Sequence, residues 1–91
     1  MDSNLIILSS LAMDLKRVAL GLHRRSYSMA ERFSEEVKKR NHEVRLDTVK
    51  PYMRKVLAKI SGVLLETDKN RKAEDCLMYS TLLQNYVIKF S

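Results

Sequence analysis

The sequence predicts an all-α protein, a compact four-helix bundle, on three observations. Two Gly and one Pro in 91 residues leave little material for hairpins or long structured loops. Apolar residues recur at three-four spacing along most of the chain, and no alternating strand pattern competes with them. Turn and capping residues recur between the periodic stretches, separating segments of similar length.

The first helix is expected from Asn4 to about His23, with Asp2 or Ser3 as its cap. Leu5, Leu8, Leu11 or Ala12, Leu15, Val18 or Ala19, and Leu22 keep its spacing. No charge occurs between Ser3 and Met13, and Ile6 and Ile7 lie off the stripe, so burial on more than one side is expected. The same phase continues through Met29, Phe33 and Val37, which leaves three helices with a long first member as the alternative architecture. A break near Arg25 to Ser28 is favoured: Ser28 with Glu31 has the spacing of a capping box, and Gly21 loosens the preceding turn. An unbroken helix to Asn41 would extend roughly 55 Å, about twice either later helix.

Asn41 to Asp47 reads as a polar connection. The clearest helix follows, in the stretch Thr48 to Glu66. Val49, Tyr52, Met53, Val56, Leu57, Ile60, Val63 and Leu64 share one arc, with Lys55, Lys59 and Glu66 roughly opposite. Asp47 or Thr48 can cap it, and Pro51 is tolerated in a first turn whose amides have no helical partner. After a turn at Thr67–Asn70, the last helix is expected over Arg71 to Lys89; from Cys76 to Phe90 its only charge is Lys89. Antiparallel packing of the first and last helices brings two charge-poor segments together, and Leu5, Ile6, Ile7, Leu82, Tyr86 and Ile88 become the candidate protein-docking or homodimer face.

At 91 residues this is a single helical domain, 1–91, that buries about two thirds of its unfolded surface, so a deep substrate cavity is not expected. Seventeen Lys and Arg against eleven Asp and Glu give +6, which favours an anionic partner. One cysteine excludes an internal disulfide framework and suits a reducing compartment. The Leu5–Leu8 run has neither a basic flank nor a small-residue cleavage site, and it is too short to cross a bilayer. A cytoplasmic protein with no membrane partner is expected.

No catalytic or cofactor motif is present. His23, His42 and Cys76 lack metal-ligand spacing, so no metal site is expected, and Cys76 reads as a small core residue. Glu35 and Glu36 project in adjacent directions and do not form an acid-base pair. Arg17 and His23, in RVALGLH, resemble the Arg and His of HEPN-type helical ribonucleases, in which the guanidinium holds phosphate and the imidazole acts as acid or base. The family's polar residue after the Arg is here Val18, and its motif lies late in the bundle.

A bundle of this topology sets the first-to-second and third-to-fourth turns at one end. That gathers Arg24, Arg25, Lys69, Arg71 and Lys72, with Lys16 and Arg17 a turn or two away, as the candidate site for DNA or RNA phosphates. Lys38, Lys39, Arg40, Arg45, Lys50 and Arg54 form a second group at the other end, and Lys55 and Lys59 flank the small residues Ala58 and Gly62. Tyr27 and Tyr79 are candidates for stacking on bases, although tyrosines at helical spacing are more often core. No recognition-helix signature appears, so any such binding is expected to be sequence-tolerant.

A tiny Lys/Arg-rich helical chain with one Gln and one Cys resembles small archaeal accessory proteins, in particular the all-helical small subunit of the crenarchaeal family-B DNA polymerase holoenzyme. The resemblance implies a polymerase partner, support of DNA synthesis, and no activity of its own. A CRISPR-type helical small subunit, a HEPN-like RNase and a plain homodimeric adaptor are the alternatives.

Overall fold

The structure, a computed structural model, describes residues 2–91. Four helices follow in order, α1 (Ser3–His23), α2 (Tyr27–Glu43), α3 (Pro51–Leu64) and α4 (Lys69–Phe90), with a short 3-10 turn at Leu46–Thr48 before α3. Helix α1 packs extensively on both α2 and α4; α3 completes the bundle against α4 and, more sparsely, α2. The core runs the length of this arrangement, with Leu8, Leu11, Leu15, Val18, Met53, Ile60, Cys76 and Leu83 fully enclosed.

Two caps follow the sequence rules. The Asp2 carboxylate accepts the Asn4 amide at 2.7 Å, and the Asp68 carboxylate accepts those of Asn70 and Arg71 at 3.0 and 3.1 Å. Each satisfies amides that the first turn leaves without helical partners. At the start of α3, however, neither Asp47 nor Thr48 is the cap; both lie in the 3-10 turn, and Lys50 occupies the cap position without a side-chain bond. Thr48 is engaged elsewhere. Asn4, buried in α1, donates through Nδ2 to the Thr48 hydroxyl at 2.9 Å and to the Arg45 carbonyl at 3.3 Å, and its Oδ1 accepts the Arg45 amide at 2.9 Å. One side chain thereby ties the α2–α3 connection to the start of the chain.

The break between α1 and α2 is real but has a different cause from the expected capping box. Ser26 holds the cap position, Ser28 lies inside the first turn of α2, and no side chain caps that helix. Arg25 adopts a left-handed conformation at φ 57°, the Ser26 amide bonds the Gly21 carbonyl at 2.8 Å, and the Arg25 amide bonds that of Leu22 at 3.2 Å. This pair of bonds is a Schellman ending, with Arg where Gly is usual. Gly21 loosens nothing. It is buried within α1, where a Cβ would lie 2.9 Å from the Ala30 amide nitrogen and 3.1 Å from the Ala30 Cα, so its missing side chain lets α2 approach.

The expected pairing of α1 with α4 is present: the Ser80 hydroxyl donates to the Ala12 carbonyl at 2.7 Å within the core. The candidate docking face does not form one surface. Leu5 and Tyr86 are buried in the core of this chain, and Ile7 is half-buried against it. Tyr86 also accepts the Lys50 amide at 3.1 Å through its hydroxyl. Ile6, Leu82 and Ile88 are exposed. Leu82 and Ile88, six residues apart, are rotated about 120° from one another on α4, so they face different neighbours. Tyr52, expected in the core arc, is half exposed and meets the Tyr86 ring edge-on at 5.9 Å between centroids.

Cys76 is fully enclosed. Burial pushes its thiol from 9.0 to about 11, against the lowering influence of Lys72, with Asp75 adding to the rise. An unfolded thiol therefore releases its proton at a pH where the folded one keeps it, and the folded state loses stability as pH rises from about 9 to about 11. Denaturation across that window should show a loss smaller by about 2 kcal/mol in Cys76→Ala than in the parent chain, and the native thiol should resist alkylation at neutral pH.

Candidate nucleic-acid interface

The two turns that carry the basic candidates lie at one end of the bundle. Lys69, in the first turn of α4, sets its ammonium 3.8 Å from the centroid of the Tyr27 ring, in the first turn of α2. This contact joins the turns directly. Beneath it lies a groove of about 420 Å³ between α2 and the α3–α4 turn, with Leu22, Ala30 and Leu64 among its apolar lining. Its charged lining is balanced: Lys38, Lys69 and Lys72 alternate with Glu31, Glu35 and Glu66. A polyanion is therefore not favoured inside the groove. Arg24 and Arg25, on the α1–α2 turn, and Arg71, on α4, are not among its lining residues and are exposed.

Ion pairing separates the two basic groups. Within 4.0 Å, Lys16, Arg24, Arg25, Lys69, Arg71 and Lys72 make no ion pair among the described residues. In the second group, Lys38 pairs with Glu35 at 3.1 Å, Arg40 with Asp14 at 2.8 Å, and Arg45 with Asp47 at 4.0 Å, while Arg54 donates to the Leu46 carbonyl at 3.4 Å. Lys39 and Lys50 remain outside these pairs, Lys50 lying 5.5 Å from the Phe90 ring centroid. Lys38 also belongs to the groove and so sits apart from its expected group. Lys55 and Lys59 are exposed, as are the small residues Ala58 and Gly62 beside them.

Arg17 differs from its neighbours. It reaches Asp14 at 3.3 Å and lies over the Phe33 ring, 5.3 Å from the centroid, so it is held along the α1–α2 seam. His23 is exposed at the end of α1. Six positions apart, the two are rotated about 120° around the helix, and within one chain they do not converge on a common point. Tyr27 is exposed at the groove with Lys69 over its ring, whereas Tyr79 is half-buried against the core. Among the described residues no three His, Cys, Asp or Glu side chains are grouped to hold a metal ion, and no helix is long and apolar enough to cross a membrane.

The residue that sequence reasoning missed is Asp14. It is 4% exposed and holds two arginines, Arg17 from its own helix and Arg40 from α2, so the latter is fixed to the bundle's side. A local signal existed: Asp14 is the first charge after a run of eleven uncharged residues and precedes Arg17 by three. The partner 26 residues away depends on how α2 returns along α1.

No protein-family model matches the chain, and neither a curated protein nor a solved structure gives a significant match.

Proposed function

We propose that the chain is a non-catalytic subunit of a nucleic-acid-handling assembly, which holds DNA or RNA by its phosphate backbone at the end formed by the α1–α2 and α3–α4 turns. The observation that carries this reading is the division of the cations. Among the described residues Lys16, Arg24, Arg25, Lys69, Arg71 and Lys72 have no carboxylate partner, whereas Arg40 and Arg45 of the second group are paired and Arg54 is bonded to a carbonyl. An unpaired guanidinium can neutralise a phosphate and release its counterion without first breaking an internal ion pair. Arg24, Arg25 and Arg71 hold the backbone at this end, with Lys16, Lys69 and Lys72 adding charge.

The process served is the one the resemblance implies, support of DNA synthesis beside a polymerase. Arg17 and His23 take no part in cleavage on this reading, since Arg17 is committed to Asp14 and Phe33.

Fluorescence anisotropy with double-stranded DNA of several unrelated sequences, titrated over salt, tests the proposal. Four to five phosphate contacts give a slope of log K against log salt of about −4, equal among the sequences. A slope near zero, or affinity confined to one sequence, would refute it.

A further inference from the structure

The aromatic side chains are unevenly placed. Tyr52, from the first turn of α3, and Tyr86 and Phe90, one turn apart near the end of α4, gather at the end of the bundle away from the two turns. Theirs are the only ring-to-ring contacts among the described residues, 5.9 Å between centroids for Tyr52 with Tyr86 and 4.6 Å for Tyr86 with Phe90. Tyr86 is the buried member, fixed by the Lys50 amide at its hydroxyl, while Tyr52 and Phe90 are 50% and 36% exposed. Two exposed cations attend one of these rings. The Lys50 and Lys89 ammoniums lie 5.5 and 5.4 Å from the Phe90 centroid, and among the described residues neither has a carboxylate within 4.0 Å. At the turn end, by contrast, Lys69 already lies against the Tyr27 ring at 3.8 Å.

A recess of about 260 Å³ opens between these rings and the start of α1, with Leu5, Val49, Tyr86 and Phe90 in its lining and Asp2 as its one acid. That is smaller than the pockets of about 300 Å³ and more that enclose drug-sized ligands, and it suits a single planar ring. Exposed aliphatic side chains elsewhere, such as Ile6 on α1 and Leu82 on α4, do not distinguish one covering from another. Aromatic faces beside unpaired ammoniums do, because they match a flat π-system that carries negative charge next to it. An unpaired nucleotide has that form. A duplex does not, since its bases already stack on one another, so this end adds nothing to duplex binding.

We infer that this end binds single-stranded nucleic acid, with a base stacked on Phe90 and the adjoining phosphates held by Lys50 and Lys89. Asp2, inside the recess, keeps phosphate out of it and on the lysine side. Tyr52 offers a second exposed ring to a neighbouring base. The site stands apart from the turn-end cations and does not require them.

Fluorescence anisotropy with oligo(dT) and with an abasic strand of equal length, which carries the same phosphates and no bases, tests the inference. The parent chain should prefer oligo(dT) by about tenfold, the contribution of one stacked base. Phe90→Leu, which keeps an apolar side chain but no ring face, should lose that preference with its helical circular dichroism retained, and Phe90→Trp should keep it. Lys50→Ala combined with Lys89→Ala should keep the preference while the oligo(dT) salt slope becomes shallower by about 1.4. Replacing Arg24, Arg25 and Arg71 by Ala should leave the ratio between the two strands unchanged, so failure at the turn end and failure here are read separately. Equal affinity of the parent chain for both strands would overturn the inference, as would an unchanged preference in Phe90→Leu or its loss in Tyr27→Leu instead. An unchanged preference in Phe90→Leu together with lost binding to phosphatidylserine vesicles would assign the rings to a lipid surface.

Discussion

Arg40→Ala should destabilise the bundle by about 2–3 kcal/mol, and Asp14→Ala by only about 1 kcal/mol, although each removes one end of the same 2.8 Å ion pair. The asymmetry follows from where each group is left. Without Arg40, the Asp14 carboxylate stays in the α1–α2 seam with its side chain 5% exposed and only the longer, 3.3 Å contact to Arg17. Without Asp14, both arginines can turn outward, since their side chains are already 35% and 44% exposed. That exposure also holds the expected cost of Arg40→Ala below the 3–5 kcal/mol typical of a fully enclosed pair. Urea denaturation of both single variants and of the double variant measures the difference. The double variant should resemble Asp14→Ala alone, because the penalty of a stranded carboxylate disappears with it. Equal single costs that add in the double would mean that the pair contributes no coupling.

Substituting the two glycines should shift stability in opposite directions. Helix propensity alone favours Ala over Gly by about 1 kcal/mol at both positions. At Gly62 nothing lies within 4 Å of the added Cβ, and Gly62→Ala should stabilise by about 0.5–1 kcal/mol. At Gly21 the Cβ meets the backbone of Ala30 at 2.9 and 3.1 Å, atoms that can retreat only if α2 moves away from α1. Overpacking of this kind typically costs about 1–3 kcal/mol. Set against the propensity gain, it makes Gly21→Ala destabilising by up to about 2 kcal/mol net. Midpoints of thermal or urea unfolding decide both signs.

These two sites also mark how far the sequence can be read. Helix α3, a cap at Asp2 or Ser3 and the turn before α4 were legible because periodicity and capping are local properties, and the pairing of α1 with α4 followed from bundle topology. The end of α1 was legible only as a change of architecture. Its mechanism, a left-handed residue at Arg25, has no sequence signal when Arg stands where Gly or Asn is usual. Gly21 was noticed for the wrong reason, since its purpose lies nine residues on, at Ala30. The gathering of two turns at one end followed from topology alone and placed Lys69 beside Tyr27. Which cations there would be free did not follow, because pairing depends on partners such as Asp14 and Arg40 that meet only in the folded bundle. Tyr52 and the predicted docking face show the same limit. A shared helical arc identifies an apolar side, but neighbouring helices decide how much of it is covered.

The most direct test of the phosphate-binding account compares two triple variants in the same salt titration with double-stranded DNA. One replaces Arg24, Arg25 and Arg71 by Ala at the turn end; the other replaces Arg45, Lys50 and Arg54 at the opposite end. The account predicts that the first loses affinity and that its salt slope becomes shallower by about 2–3, while the second keeps wild-type affinity and slope. Wild-type binding by the turn-end variant, or equal losses from both ends, would contradict it.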